Sequence, residues 1–194
     1  MARMAESIVA SDVAPEVAPD IAPDCVAFGS VPTEFGDVLA AVTAEGLVAT
    51  AFTDSPHIRA AIAARLRLVD AEDSLPAAEV LDQLRQYFRG ERRAFDVSVD
   101  WRLMSQAQRR VLGTLYETVP YGTVVTYGEL ASRSGSGIPP RGIGSIMGSN
   151  PIPIVVPCHR VVAGDGIGGF SGGTGVESKR RLLTLEGYLP PGLW

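Results

Sequence analysis

Thr126-Tyr127-Gly128-Glu129-Leu130-Ala131 opens the stretch that decides how this chain folds, and Arg141-Gly142-Ile143-Gly144 lies near its end. Thr126 can cap a helix N-terminus with Glu129 three residues on, the reciprocal pairing of a capping box. The spacing predicts a short helix over 127–133, stopped by Ser134-Gly135-Ser136-Gly137. A second short helix starts at Pro139-Pro140-Arg141 and runs to Gly148, because proline is tolerated in a first turn whose N–H groups lack helical partners anyway. Two short helices around a glycine-containing turn read as a helix-turn-helix. The second carries Gly142, Gly144, Ser145, Gly148 and Ser149. Each helical glycine costs about 1 kcal/mol relative to alanine. The run therefore implies either close approach of the backbone to a partner surface or a poorly formed helix.

Upstream, Val111, Leu112, Leu115 and Tyr116 mark the apolar stripe of a helix over 105–118, followed by a turn at Val119-Pro120-Tyr121-Gly122. Before it, three short apolar runs (26–31, 37–43, 47–52) are separated by Glu34-Phe35-Gly36 and Ala44-Glu45-Gly46. Tight turns between β-rich runs predict an antiparallel meander. Helical spacing follows over 55–68 and 76–89, the second with Val80, Leu81, Leu84, Tyr87 and Phe88 on one face. Phe95, Val97 and Val99 alternate with polar residues and predict a fourth strand. His57, beside a proline at a helix start, reads as a surface or capping residue, and nothing else in this half suggests chemistry. Residues 13–24 repeat Val-Ala-Pro-Glu, Val-Ala-Pro-Asp, Ile-Ala-Pro-Asp. Proline every fourth residue blocks helix and sheet ladders. The expected organisation is a disordered tail over 1–24 and an N-terminal domain over 25–100. A C-terminal domain over 101–194 follows, in a mixed α/β (α+β) fold.

With 46% hydrophobic and 20% charged residues, the composition is that of an ordinary globular protein. No apolar run approaches the ~20 residues needed to cross a bilayer. No basic segment followed by an apolar one suggests a secretory signal. The two cysteines, Cys25 and Cys158, are far apart and read as unpaired thiols in a reducing, cytoplasmic setting. The net charge of −5 hides an asymmetry. Residues 1–100 carry 8 basic and 17 acidic side chains, a balance of −9; residues 101–194 carry 9 and 5, a balance of +4. A polyanion, if bound, would meet the C-terminal half.

That half also holds Val155-Val156-Pro157-Cys158-His159-Arg160-Val161-Val162. An apolar run delivers a thiol followed at once by an imidazole and a guanidinium. Free cysteine titrates near ~8.5, so a reactive one needs a base or a positive field. His159 is the candidate base. If 154–162 is an extended strand, Cys158 and His159 point to opposite faces, and proton transfer needs a bridging water or a kink after Pro157. Glu186, ending the apolar helical segment Leu182-Leu183-Thr184-Leu185, is the candidate carboxylate behind the imidazole. The residues alone leave Cys158 open between an activated nucleophile, as in a cysteine hydrolase, and a packed small hydrophobe. Two scattered cysteines and two histidines fit no zinc spacing.

Val156-Pro157-Cys158-His159-Arg160-Val161-Val162 resembles the active-site signature of the O6-alkylguanine-DNA alkyltransferases, also called methylated-DNA–protein-cysteine methyltransferases. The similarity spans 26–188 and includes the two segments quoted first, Asn150-Pro151, Gly169-Phe170-Ser171-Gly172-Gly173 and Leu182 to Gly187. The resemblance implies an RNase H-like N-terminal domain with a small antiparallel sheet. It also implies a winged-helix-like helix-turn-helix domain that enters the minor groove of double-stranded DNA. The implied reaction is single-turnover transfer of an alkyl group from O6-alkylguanine to Cys158, with O4-alkylthymine as a second candidate substrate. The protein would act as a monomer without cofactor or metal.

By the same resemblance Cys158, His159, Glu186 and Asn150 form the catalytic set, Asn150 ordering the turn before the active-site segment. Arg141 would fill the gap left by a flipped base, helped by Tyr127 at the 3′ phosphate and by Gly142 and Ser145 on the helix surface. Val161, Phe170 and Ser171 would line the guanine pocket, with the carbonyls of Cys158 and Val161 accepting from the guanine amino group. The chain differs from common family members in Ala107, Leu112, Pro139-Pro140 and Phe170, and it lacks the cysteine and histidine set of zinc-containing relatives. A non-catalytic lesion sensor and a transcription factor with an alkylation-sensing thiol are the competing readings.

Overall fold

The computed structural model describes residues 21–192. The tetrad tail lies outside them except for residues 21–24. Three strands, β1 (Cys25–Thr33), β2 (Gly36–Thr43) and β3 (Gly46–Ala51), form the expected antiparallel meander. Its second turn requires glycine. Gly46 has φ +125°, and a Cβ there would lie 2.3 Å from the carbonyl oxygen of Ser98. The central strand β2 is apolar on both faces. Leu39 and Ala41 pack with Val26, Phe28 and Val48 on one side, while Val38, Ala40 and Val42 enter the main core on the other. Helix α1 (Pro56–Leu66) covers the first face through Ile58 and Ile62, and α2 (Ala78–Phe88) covers the second through Val80, Leu84 and Tyr87.

The fourth strand is not where alternation put it. A two-residue strand β4 (Val69–Asp70) pairs in parallel with β1, giving the order β3-β2-β1-β4. Residues 95–99 contribute only a parallel bridge between Val99 and Leu47. Phe95, Val97 and Val99 alternate because one side of the segment rests on the core; burial alone produces that pattern without a ladder.

Helix α3 (Gln106–Thr118) starts at a capping box between Ser105 and Gln108 and buries Val111, Leu112 and Leu115. After β5 (Val125–Thr126), helix α4 (Tyr127–Ser134) begins at the expected Thr126–Glu129 capping box, worth about 1 kcal/mol. Gly135 ends it in the left-handed region, and α5 (Pro140–Gly148) follows with Pro139 in the cap position. Leu130 of α4 and Ile143, Ile146 and Met147 of α5 enter the same core as α3, so the helix-turn-helix is a packed unit. Gly142 needs no external partner to explain it, because a Cβ there would sit 2.6 Å from Ile138 Cγ2.

The apolar run before the thiol is not a strand. Residues 151–156 form turns, Ile154 has φ +78°, and Cys158–Arg160 is a 3-10 turn. Only Val161–Val162 (β6) is extended, pairing in parallel with β5. Pro151, Pro153 and Pro157 remove the N–H donors that a ladder needs. Helix α6 (Val176–Leu185) closes the fold and delivers Glu186 as its C-cap.

Candidate active site

Cys158 sits at the start of the 3-10 turn, 5% exposed, at the base of a cleft of about 440 Å³. The turn replaces the expected two-faced strand, so the alternation argument for Cys158 and His159 no longer applies. Asn150 shapes the approach. Its Nδ2 donates to the carbonyl of Val156 at 2.8 Å, and its Oδ1 accepts from the N–H of Ile152 at 3.0 Å. The chain between these anchors cannot extend. Burial pushes the Cys158 thiol above its ordinary value; hydrogen bonding from Asn150 and the charge of Lys179 favour the thiolate but do not overcome it.

His159 and Glu186 are completely buried side chains joined by a 2.8 Å hydrogen bond between Nε2 and Oε1. Glu186 also accepts from Tyr87 Oη at 2.7 Å, Arg160 Nη2 at 2.8 Å and Nε at 2.9 Å, and the N–H of Gly122 at 3.2 Å. Burial opposes its charge, but the hydrogen bonds and charges of His159 and Arg160 prevail and hold the carboxyl well below its ordinary value. An ionised carboxylate only accepts. The proton of the neutral imidazole is therefore on Nε2, which leaves Nδ1 as a bare lone pair. Nδ1 is buried and has no protein hydrogen-bond partner among the described residues. Burial lowers the His159 pKa despite the pull of Glu186. The resting state is a neutral thiol and a neutral imidazole.

Two participants were missed at the sequence level, and a third was noted without a role. Tyr87 reads as one member of an apolar stripe, yet a buried tyrosine needs a partner for its hydroxyl. Arg160 spans Glu186 and the carbonyl of Val119, to which Nη1 donates at 2.8 Å. Lys179 is buried, and its Nζ donates to the carbonyls of Val161 at 2.6 Å and Gly169 at 3.0 Å. Burial lowers its pKa to about 8 against the opposing pull of Cys158. The signal was present: Lys179, Leu182, Leu183 and Glu186 share one helical face, placing two charges on the buried stripe.

Of the remaining expected residues, two line the cleft and the others do not. Phe170 and Ser171 line it, and Ser171 Oγ donates to the carbonyl of Gly148 at 3.2 Å. Val161 is buried, its carbonyl already engaged by Lys179. Tyr127 is half-buried against Gly168, and burial, with Cys158 adding to it, raises its pKa. Arg141 and Ser145 are exposed on α5, away from the thiol network. Among the described residues no group of three or more His, Cys, Asp or Glu is gathered as a metal site. None of the described helices is long and apolar enough to cross a membrane.

Residues 106–188 match the family described as 6-O-methylguanine DNA methyltransferase, DNA binding domain. Over 107 residues, 55% of this chain, the sequence is 48% identical to a methylated-DNA–protein-cysteine methyltransferase of Methanopyrus kandleri, covering 78% of that protein. The chain belongs to the methylated-DNA–protein-cysteine methyltransferase family. A second member, from Mycolicibacterium paratuberculosis, is 44% identical over 110 residues, 56% of this chain and 64% of its own length. The fold is similar to the crystal structure of Mycobacterium tuberculosis O6-methylguanine methyltransferase, with TM-score 0.67 and 34% identity over 87% of this chain and 97% of that one. It is also similar to the same organism's OGT in complex with DNA, with TM-score 0.66 and 32% identity over 83% and 93% of the two chains. The matched family model is a DNA-binding domain, and the last of these similar structures contains DNA.

Proposed function

We propose that Cys158 is the acceptor in this family's reaction, in which O6-alkylguanine in DNA is repaired by alkyl transfer to the protein's own cysteine. The observation that carries the reading is the buried hydrogen bond of His159 Nε2 to Glu186 Oε1, which assigns the ring proton to Nε2. Nε2–H is committed to Glu186 and Nδ1 keeps a free lone pair, while burial keeps the Cys158 thiol protonated. The thiol proton moves toward Nδ1, directly or through water, as sulfur attacks the alkyl carbon. The C–S bond forms, the C–O6 bond breaks with its electron pair going to guanine, and the proton ends on the guanine ring. Glu186 stabilises the transient imidazolium, while Arg160, whose charge opposes it, holds the carboxylate in place. Lys179 favours the thiolate as it forms. No side chain of the site can reverse a thioether, so each molecule reacts once.

DNA is engaged through the minor groove by α5, with Arg141 occupying the gap left by the flipped guanine and Tyr127 beside its phosphate. Gly142 and Ser145 lie on the helix surface that meets the backbone. Phe170 and Ser171, which line the cleft, hold the base, and Lys179 holds the carbonyl of Val161. We read residues 1–24 as a tail, 25–100 as an RNase H-like domain and 101–194 as a winged-helix-like DNA-binding domain acting as a monomer. The two sheets, β3-β2-β1-β4 from the first half and β5-β6 from the second, favour that division, and one main core is shared across it.

Intact-mass spectrometry after incubation with a duplex containing O6-methylguanine tests the reading. The wild-type protein should gain one methylene, located on the Cys158 peptide, and Cys158→Ala should gain nothing while still binding the duplex. Binding without modification of the wild-type peptide would refute it and favour a lesion sensor.

A further inference from the structure

The cleft over Cys158 has a wall that comes from the N-terminal half. Thr50 fixes that wall to the active-site turn twice: its N–H donates to the carbonyl of Pro151 at 2.9 Å, and its Oγ1 donates to that of Pro153 at 2.6 Å. Strand β3 is thereby joined to the segment that carries the thiol. Two residues further on, Phe52 enters the cleft and meets Phe170 edge-on, with centroids 6.0 Å apart and planes at 82°. Phe35, at the tip of the β1–β2 hairpin, backs Phe52 at 6.4 Å.

The hairpin tip is itself fastened. Arg181 of α6 pairs with Glu34 at 2.6 Å and lies 4.5 Å from the centre of the Phe35 ring. The opposite wall is shaped to Phe52. A Cβ on Gly172 would lie 2.5 Å from Phe52 Cε2 and 2.8 Å from Phe170 Cε1, so only glycine lets the loop close on both rings. Phe52 is thus held by the sheet, by the hairpin and by the pocket loop, with its ring lining the same cleft as the thiol.

That space is far larger than a methyl group and, beside Phe52, Phe170 and Pro153, apolar. Aromatic rings favour edge-to-face and offset partners, worth ~0.5–1.5 kcal/mol beyond burial. We propose that Phe52, backed by Phe35, is a specificity-determining residue for the transferred group, favouring flat aromatic substituents such as benzyl over methyl. The N-terminal half then selects among substrates in addition to supporting the fold. This inference rests on the alkyl-transfer reading of Cys158.

The test measures single-turnover alkylation of Cys158 by duplexes carrying O6-benzylguanine or O6-methylguanine, for the wild type, Phe52→Ala and Phe52→Leu. Loss of the aromatic edge should lower the benzyl-to-methyl rate ratio by about tenfold in Phe52→Ala, the upper end of one aromatic contact. Phe52→Leu, which keeps apolar volume and should fold normally, should lower the ratio in the same direction. An unchanged ratio in Phe52→Leu, or equal loss on both substrates in both variants, overturns the specificity role and leaves Phe52 as a packing residue. Failure of the wild type to transfer either group would instead refute the alkyl-transfer reading itself.

Discussion

Tyr87 Oη donates to Glu186 Oε1 across 2.7 Å, the same oxygen that His159 Nε2 reaches at 2.8 Å. The two residues are 99 positions apart, and Tyr87 comes from the half of the chain that shows no chemistry in its sequence. The phenol therefore belongs to the hydrogen-bond set that orients the imidazole. The other groups facing this network are Arg160, Tyr121 and Lys179, with the Cys158 thiol beyond.

Tyr87→Phe keeps the ring contacts with Phe88, Phe95 and Tyr121 and removes one donor from Glu186. A buried hydrogen bond to a charged acceptor contributes about 1.5–3 kcal/mol, and urea unfolding should register a loss of that size. With one donor fewer, the carboxylate acts more strongly on the imidazole, so His159 should titrate at higher pH than in the wild type. An NMR titration of the ring checks this; an unmoved curve would reduce Tyr87 to a packing role.

The sequence made the helix-turn-helix legible because its signals are local. Capping residues, proline at a helix start and glycine after a helix act within a few positions of where they stand. Strand β4 was hidden because two residues carry no periodicity. Of the expected strand over 154–162 only Val161–Val162 is extended, because the apolar content reports burial and says nothing of the ladder that the neighbouring prolines forbid. In the site, Cys158, His159 and Glu186 were readable as chemistry. Tyr87, Thr50 and Phe52 were not, because their meaning depends on contacts with residues about 70 to 120 positions away.

Removing the Glu186 charge should be costly. Arg160 would keep a buried guanidinium without its counter-charge, and breaking a buried pair in this way costs about 3–5 kcal/mol. Glu186→Gln should lose stability of that order in urea unfolding. The pH dependence has a definite sign. Glu186 is held below its ordinary value of 4.5, so its contribution is complete above that pH and is lost as pH falls toward the folded value. His159, lowered from 6.5, adds a loss in the same direction that begins as pH falls below 6.5, because the unfolded state takes the proton first. Wild-type melting temperature should therefore fall steadily from pH 6.5 downward. The portion below pH 4.5 should flatten in Glu186→Gln.

Lys179 places a positive charge near the thiol only while it is protonated, and its pKa is lowered to about 8. Lys179→Met should raise the Cys158 pKa and slow alkylation by iodoacetamide at pH 7 by about tenfold, one pKa unit of thiolate population. The difference between variant and wild type should shrink above pH 8, where the wild-type amine is itself neutral. A constant rate ratio from pH 6 to 10 would argue that Lys179 acts only by holding the carbonyls of Val161 and Gly169.

Arg141 is exposed in the first turn of α5 and contributes nothing to the buried core. Its replacement by alanine should leave stability within about 0.5 kcal/mol of the wild type. An effect on repair must then come from DNA. If the guanidinium fills the gap left by a flipped base, its loss raises the cost of unstacking, which the duplex incurs and a free base does not. Repair of O6-methylguanine in duplex DNA should slow by about tenfold or more, equivalent to ~1.4 kcal/mol of flipping energy. Alkylation by the free base O6-benzylguanine should change much less, because the cleft around Cys158 is untouched. Equal slowing on duplex and free base would remove Arg141 from the flipping step and point to an effect on the cleft itself.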